Sequence, residues 1–151
     1  MQYWLMKTEP DECSIDDFAA KPDQVIPWDG VRNYQARNFM RDMAIGDEVF
    51  IYHSSCAQIG VAGIVRVTRS AYPDRSQFNP DSRYYDPRSN PASPRWDAVD
   101  LQFVRKFKRI VSLDELKAES VLADNPLVKK GNRLSVMPFT KAERDAVLAK
   151  A

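Results

Sequence analysis

Two stretches of this chain place apolar residues at every second position, a period that a β-strand can bury on one face and an α-helix cannot. Ile59, Val61, Gly63, Val65 and Val67 alternate with Gly60, Ala62, Ile64, Arg66 and Thr68. This predicts one long strand, with glycines that leave room for close backbone approach. Val99, Leu101, Phe103 and Phe107 carry the same period into a later strand. Val49-Phe50-Ile51-Tyr52 is apolar on both faces, as a central strand should be, and Tyr3 to Met6 suits a short buried one. Leu134 to Met137 predicts a further strand stopped by Pro138. Helical signals are fewer. Ser14 with Asp17 caps a turn that packs Ile15 and Phe18, Ser112 to Glu115 is a capping box, and Thr140 to Glu143 opens a last helix that packs Val147 and Leu148. Sequential strands with a few peripheral helices describe an α+β fold, a small closed or half-closed β structure with helices at its edges.

The length of 151 residues, with 44% hydrophobic, suits one core, and we expect one domain over residues 1–151. A formal net charge of +1 argues against avid, sequence-blind duplex binding, which needs a strongly basic surface. Any nucleic-acid role therefore requires a local patch or a pocket for a single base. Cys13 and Cys56 lack CxxC spacing, and with His53 as the lone histidine they form no credible zinc tetrad, so neither metal nor cofactor is expected. Both cysteines read as reduced thiols. Lys7, Glu9, Asp11 and Glu12 interrupt the first residues, and no apolar run reaches membrane-spanning length, so a cytoplasmic protein without membrane contact is the expectation.

Between these structural signals lies a segment of different character, Trp28-Asp29-Gly30-Val31-Arg32-Asn33-Tyr34-Gln35-Ala36-Arg37-Asn38. Its aromatics offer flat π-faces, its guanidiniums offer forked donors, and its amides both donate and accept. Ala36, Phe39, Met40 and Met43 fall on one helical stripe, which leaves Gln35, Arg37, Asn38 and Arg41 on the other faces. Gly30 and Asn33 suit the turn and N-cap, and Gly46 suits the position just past the helix end. Ser70 to Trp96 is a second unusual segment, with half of the ten prolines and no clear period. Its Tyr72, Phe78, Tyr84, Tyr85 and Trp96 are too aromatic for a disordered linker, so it should lie as an ordered wall against the sheet.

The order Tyr3-Trp4-Leu5-Met6-Lys7-Thr8-Glu9-Pro10, then the Trp28 to Asn38 segment, Tyr52-His53-Ser54, and Tyr85-Asp86-Pro87 ahead of Trp96 resembles EVE-domain proteins, relatives of the PUA and YTH modules. The resemblance runs from Tyr3 to about the last helix, and its one small departure is Thr8, where serine is the more usual hydroxyl. It implies a PUA-like mixed β-barrel with peripheral helices, and a cleft between the barrel and the helix that follows the first strand. It also implies a reader of modified DNA or RNA.

The residues give that reading a chemistry. Trp28 with Tyr72 or Tyr85 would stack a flipped base, worth about 1–3 kcal/mol. Asn33, His53 and Ser54 would meet the base edge, and Lys7, Arg32 and Arg37 the phosphates. Tyr34, Asn38 and Trp96 complete the candidate set. The bland alternatives are core aromatics and a solvated helix face with an internal salt bridge to Asp29 or Asp42.

Two catalytic readings are weaker. His53-Ser54-Ser55-Cys56 leaves a strand, so His53 and Ser54 point to opposite faces, and no nucleophile elbow surrounds them. Lys7-Thr8-Glu9 is similar in composition to the residues that certain ASCH-type amidohydrolases use, but there they come from separated positions. Asp74 and Asp86 read as turn formers. A binding module with no chemistry of its own is the expectation. An amidohydrolase using Lys7 and Thr8, or a protein-interaction module, is the alternative.

Overall fold

The computed structural model describes residues 1–151. Its centre is a six-stranded mixed sheet in the order β2-β5-β4-β3-β1-β6. The strands are β1 (Tyr3–Thr8), β2 (Val25–Trp28), β3 (Glu48–His53), β4 (Gly60–Pro73), β5 (Asp97–Ser112) and β6 (Val136–Phe139). The helices are α1 (Ile15–Ala19), α2 (Tyr34–Asp42), α3 (Leu113–Ala118) and α4 (Lys141–Leu148). Only β1 and β3 run parallel, and such a pair needs a crossover, which α1, β2 and α2 supply. The α+β class holds, and the two edge strands, β2 and β6, do not pair with each other.

The long alternating runs become β4 and β5, which pair antiparallel through several register shifts. These bulges bend the pair around the core. Gly63 is a point of close approach, where a Cβ would run into the Arg105 carbonyl oxygen and lie 2.7 Å from the Ile15 side chain. β3 lies between β1 and β4, with Val49, Phe50, Ile51 and Tyr52 all buried. Ala36 and Met40 seat α2 on the same core, and full burial of a side chain such as Met40 stabilises by about 1.5–3 kcal/mol. Capping boxes open α1, α3 and α4 at Ser14, Ser112 and Thr140.

Three boundaries differ from the sequence reading. β2 was unexpected, because Pro27 interrupts its four residues; the strand survives at the sheet edge, where the missing N–H costs no ladder bond. Pro138 likewise lies inside the edge strand β6, opposite Trp4, and does not stop it. α2 ends at Asp42, not at Gly46. Met43 is extended, and buried Asp47 gathers the Ala44 N–H at 2.9 Å, the Gln2 N–H at 3.1 Å and the Trp4 indole N–H at 3.0 Å. Gly46, at φ +94°, serves the turn that follows.

The insertion after β4 is an ordered wall built on Gln77, whose side chain is fully buried. Its amide nitrogen donates to the carbonyls of Asp74 and Trp96 at 2.6 and 2.8 Å. Its oxygen accepts from Ser89 Oγ at 2.6 Å, Arg95 N–H at 3.2 Å and Trp96 N–H at 3.1 Å. No helix is long and apolar enough to cross a membrane.

Candidate functional site

Both sheet edges contribute to one cleft of about 670 Å³, within the general range of about 300–1,000 Å³ for ligand pockets. Ile26, Pro27 and Trp28 come from β2, Lys7 and Thr8 from the end of β1, and Ser135 from the approach to β6. Asp29 to Arg32 continue the β2 side, Glu9, Glu12 and Cys13 lie beyond β1, Ser54 follows β3, Arg83 and Tyr84 project from the insertion, and Arg133 stands before Ser135.

Backbone pairing fixes the floor. The Lys7 N–H donates to the Ser135 carbonyl at 2.8 Å, and the Ser54 N–H to that of Thr8 at 2.9 Å. Lys7 Nζ stands 5.7 Å from the centre of the Tyr52 ring, and burial lowers its pKa. The Thr8 hydroxyl is buried and donates to the Glu9 carbonyl at 3.2 Å. Burial, with the charges of Asp17 and Asp29, pushes the Cys13 thiol up to about 11, so it is no thiolate nucleophile at neutral pH.

On the opposite wall, Trp28 is only 8% exposed and stacks on Phe18 at 6.5 Å, so little of the indole is left to the cleft. Gly30, at φ +80°, touches the Tyr84 ring so closely that a Cβ would lie 2.6 Å from it. The ring thus enters the cleft where a side chain at position 30 would stand. Arg32 is fully engaged: its Nε and Nη2 donate to the Tyr84 carbonyl at 3.0 and 2.8 Å, Nη2 also to Ser76 Oγ at 3.1 Å, and Nη1 to Val31 O at 2.9 Å and Asp74 Oδ2 at 3.0 Å. Burial alone would raise the Asp74 carboxyl. Hydrogen bonds from Ser76, Gly30 and Arg32, with the Arg32 charge, hold it below the ordinary value instead. Asp29 goes the other way. Partial burial and the nearby Asp74 charge raise its pKa, against the smaller effects of its own backbone hydrogen bond and Arg32. Across the mouth, Arg83 pairs with Glu12 and rests on the Tyr84 ring at 4.8 Å.

Of the residues singled out in the sequence, Lys7, Trp28, Arg32 and Ser54 line this cleft. The others lie elsewhere. Asn33 caps α2, its side-chain oxygen accepting from Ala36 N–H at 2.9 Å. Tyr34 stacks on Trp96 at 4.7 Å, with Arg37 above its ring at 4.8 Å. Arg37 donates to the Arg95 carbonyl at 2.8 Å and to Asn38 Oδ1 at 3.2 and 2.8 Å. Trp96 is buried and gives its indole N–H to Asp86 Oδ2 at 2.8 Å. Tyr72, on β4, donates to Asp100 Oδ1 at 2.5 Å and carries Arg69 over its ring, while Tyr85 is exposed outside the cleft. His53 faces a separate concavity with Ser14 and Lys106, where its Nε2 accepts the Ile15 N–H at 3.1 Å.

Tyr84, Asp29, Arg133 and Ser135, which the sequence did not single out as site residues, line the cleft. An aromatic pair at 84 and 85 and a basic run from Lys129 were visible in the sequence, but nothing local said which member faces the cleft. No three His, Cys, Asp or Glu side chains converge as metal ligands.

A family model described as the EVE domain matches residues 2–150. Human thymocyte nuclear protein 1 is 44% identical over 163 aligned positions, covering 97% of this chain and 72% of that protein. An X-ray structure of a protein from Pseudomonas syringae superposes with a TM-score of 0.94 at 51% identity, over 98% of both chains. The crystal structure of the human THYN1 protein in complex with 5-methylcytosine-containing DNA superposes with a TM-score of 0.93 at 42% identity, over 99% of this chain and 97% of that one.

Proposed function

This chain belongs to the EVE-domain family, and we propose that it reads modified DNA by holding a single base, 5-methylcytosine first among candidates, in the cleft between its sheet edges. The supporting observation is the composition of the cleft, apolar along Ile26, Pro27, Trp28 and Val31 and polar at Lys7, Asp29, Ser54 and Ser135. A relative of the same fold forms a complex with 5-methylcytosine-containing DNA. Cytosine presents a donor at N4 and acceptors at N3 and O2, and carboxylates are the side chains that accept from N4. Asp29 takes that part, Lys7 and Ser54 donate to the acceptor edge, and the 5-methyl group lies against the apolar β2 wall. Tyr84 supplies the ring on which the base rests.

No turnover is required of this arrangement. The Cys13 thiol is protonated, and the Thr8 hydroxyl is directed to a backbone carbonyl. The test is fluorescence anisotropy with matched DNA strands that differ only by one 5-methyl group, alongside RNA of the same sequence. Tighter binding of the methylated DNA is expected. Equal affinity for the two DNA strands would remove 5-methylcytosine as the base that is read.

A further inference from the structure

A base reader must also hold the strand that carries the base, and phosphate contacts set both affinity and its salt dependence. The cations nearest the base site are poorly placed for this. Lys7 is half-buried on the floor, all the donors of Arg32 are engaged within the protein, and Arg83 is paired with Glu12. Arg133 lines the same cleft, is exposed, and has no carboxylate partner, and neither have Lys129 and Lys130 just before it. These cations are displayed on an anchored turn. The Asn132 N–H donates to the Lys129 carbonyl at 3.3 Å, the Asn132 amide donates to the Pro126 carbonyl at 2.5 Å, and its oxygen accepts from Leu134 N–H at 2.6 Å. Leu134 is itself buried, and Gly131 takes the φ of +77° that the turn requires.

We propose that the turn from Lys129 to Arg133 is the phosphate grip of this protein, holding the backbone of the strand whose base enters the cleft. The inference rests on the reading of the cleft as a base site. It replaces Lys7, Arg32 and Arg37, the cations that the sequence put forward, with Lys129, Lys130 and Arg133. Because the turn is fixed before binding, little ordering entropy opposes the contact. Its positive charges have no internal counter-ion to surrender, unlike that of Arg83.

The experiment measures affinity for a single strand containing 5-methylcytosine, and for its unmodified match, across a salt series. Wild type is compared with the triple variant Lys129→Gln, Lys130→Gln, Arg133→Gln and with Arg37→Gln, thermal melting serving to verify folding. Each single-strand phosphate contact contributes about 0.7 to the slope of log affinity against log salt, so the triple variant should lose about 2 from that slope. It should weaken both strands equally and keep the preference between them, while Arg37→Gln keeps the wild-type slope. A triple variant that binds with the wild-type slope, or that loses its preference for the methylated strand, overturns the grip. A wild-type protein that binds neither strand overturns the base-site reading, and the grip with it.

Discussion

Trp28 to Arg32 and Tyr34 to Asn38 are adjacent, both combine an aromatic with arginine, and they do opposite work. The first half borders the cleft: Asp29 and Gly30 line it, and Arg32 holds the insertion so that Tyr84 projects into it. The second half closes on itself. Tyr34 stacks on Trp96 and carries Arg37 over its ring while half of its surface stays exposed, and the donors of Arg37 end on Arg95 and Asn38. Residue types suited to grip a nucleotide are equally suited to staple a loop, and both arginines do so here; what separates the halves is that the residues beside Arg32 line the cleft and those beside Arg37 do not. In this chain the partners come from the insertion, more than forty residues on, as the Arg32–Asp74 separation of 42 shows.

The largest expected effect tests the staple that ties the first half to the insertion. Arg32→Met leaves the Asp74 carboxylate, whose side chain is 0% exposed, without its cation, and should destabilise the protein by about 3 kcal/mol in urea unfolding. The Asp74 pKa is lowered on folding, so its contribution is full above the ordinary aspartate value of about 4 and is lost as pH falls through the lower folded one. The variant should therefore show a smaller loss of stability on acidification than wild type. A loss below about 1 kcal/mol would mean that the insertion does not depend on this pair.

Asp29→Asn should separate stability from function. A carboxyl raised on folding makes the folded state less favourable as pH rises past the unfolded value, so removing its charge should raise the melting temperature at neutral pH. Binding should move the other way, with about 1–3 kcal/mol of the preference for cytosine bases lost, because an amide can present its NH₂ to N4 where a carboxylate only accepts. A variant both less stable and equally selective would place Asp29 outside the site. Gly30→Ala comes next. It meets the left-handed backbone and the Tyr84 ring together and should cost about 1–2 kcal/mol, with weaker binding of both strands as Tyr84 is displaced. Smallest is Arg37→Ala, at about 0.5–1 kcal/mol of stability from a partly exposed cation–π contact, with selectivity unchanged.

Much of the frame was legible because its signals are local. Alternation marked β4 and β5, a doubly apolar run marked β3, and the caps at Ser14, Asn33, Ser112 and Thr140 stand where serine, asparagine and threonine satisfy the first N–H groups. β2 was illegible because its four residues include a proline, and it exists only by pairing with β5 far along the chain. The site was legible in part for the same reason. Lys7 and Ser54 follow from the ends of neighbouring strands, whereas the presence in the cleft of Tyr84 and not Tyr85, and of Arg133 and not Arg37, depends on contacts made by the folded insertion and the turn before β6. His53 shows the limit most simply. The residue after it reaches the cleft, and the alternation of the strand sends His53 to the other side, onto the Ile15 amide.

The central claim is that the cleft half of the aromatic–arginine segment holds the base and the half on α2 does not. An NMR titration of the labelled protein with a short DNA strand containing one 5-methylcytosine tests it directly, since backbone amides report each position at once. Shifts should concentrate at Lys7, Asp29, Gly30, Ser54 and Tyr84, with Tyr34, Arg37 and Asn38 nearly unmoved. Shifts centred on the outer face of α2, with the cleft amides silent, would contradict the account.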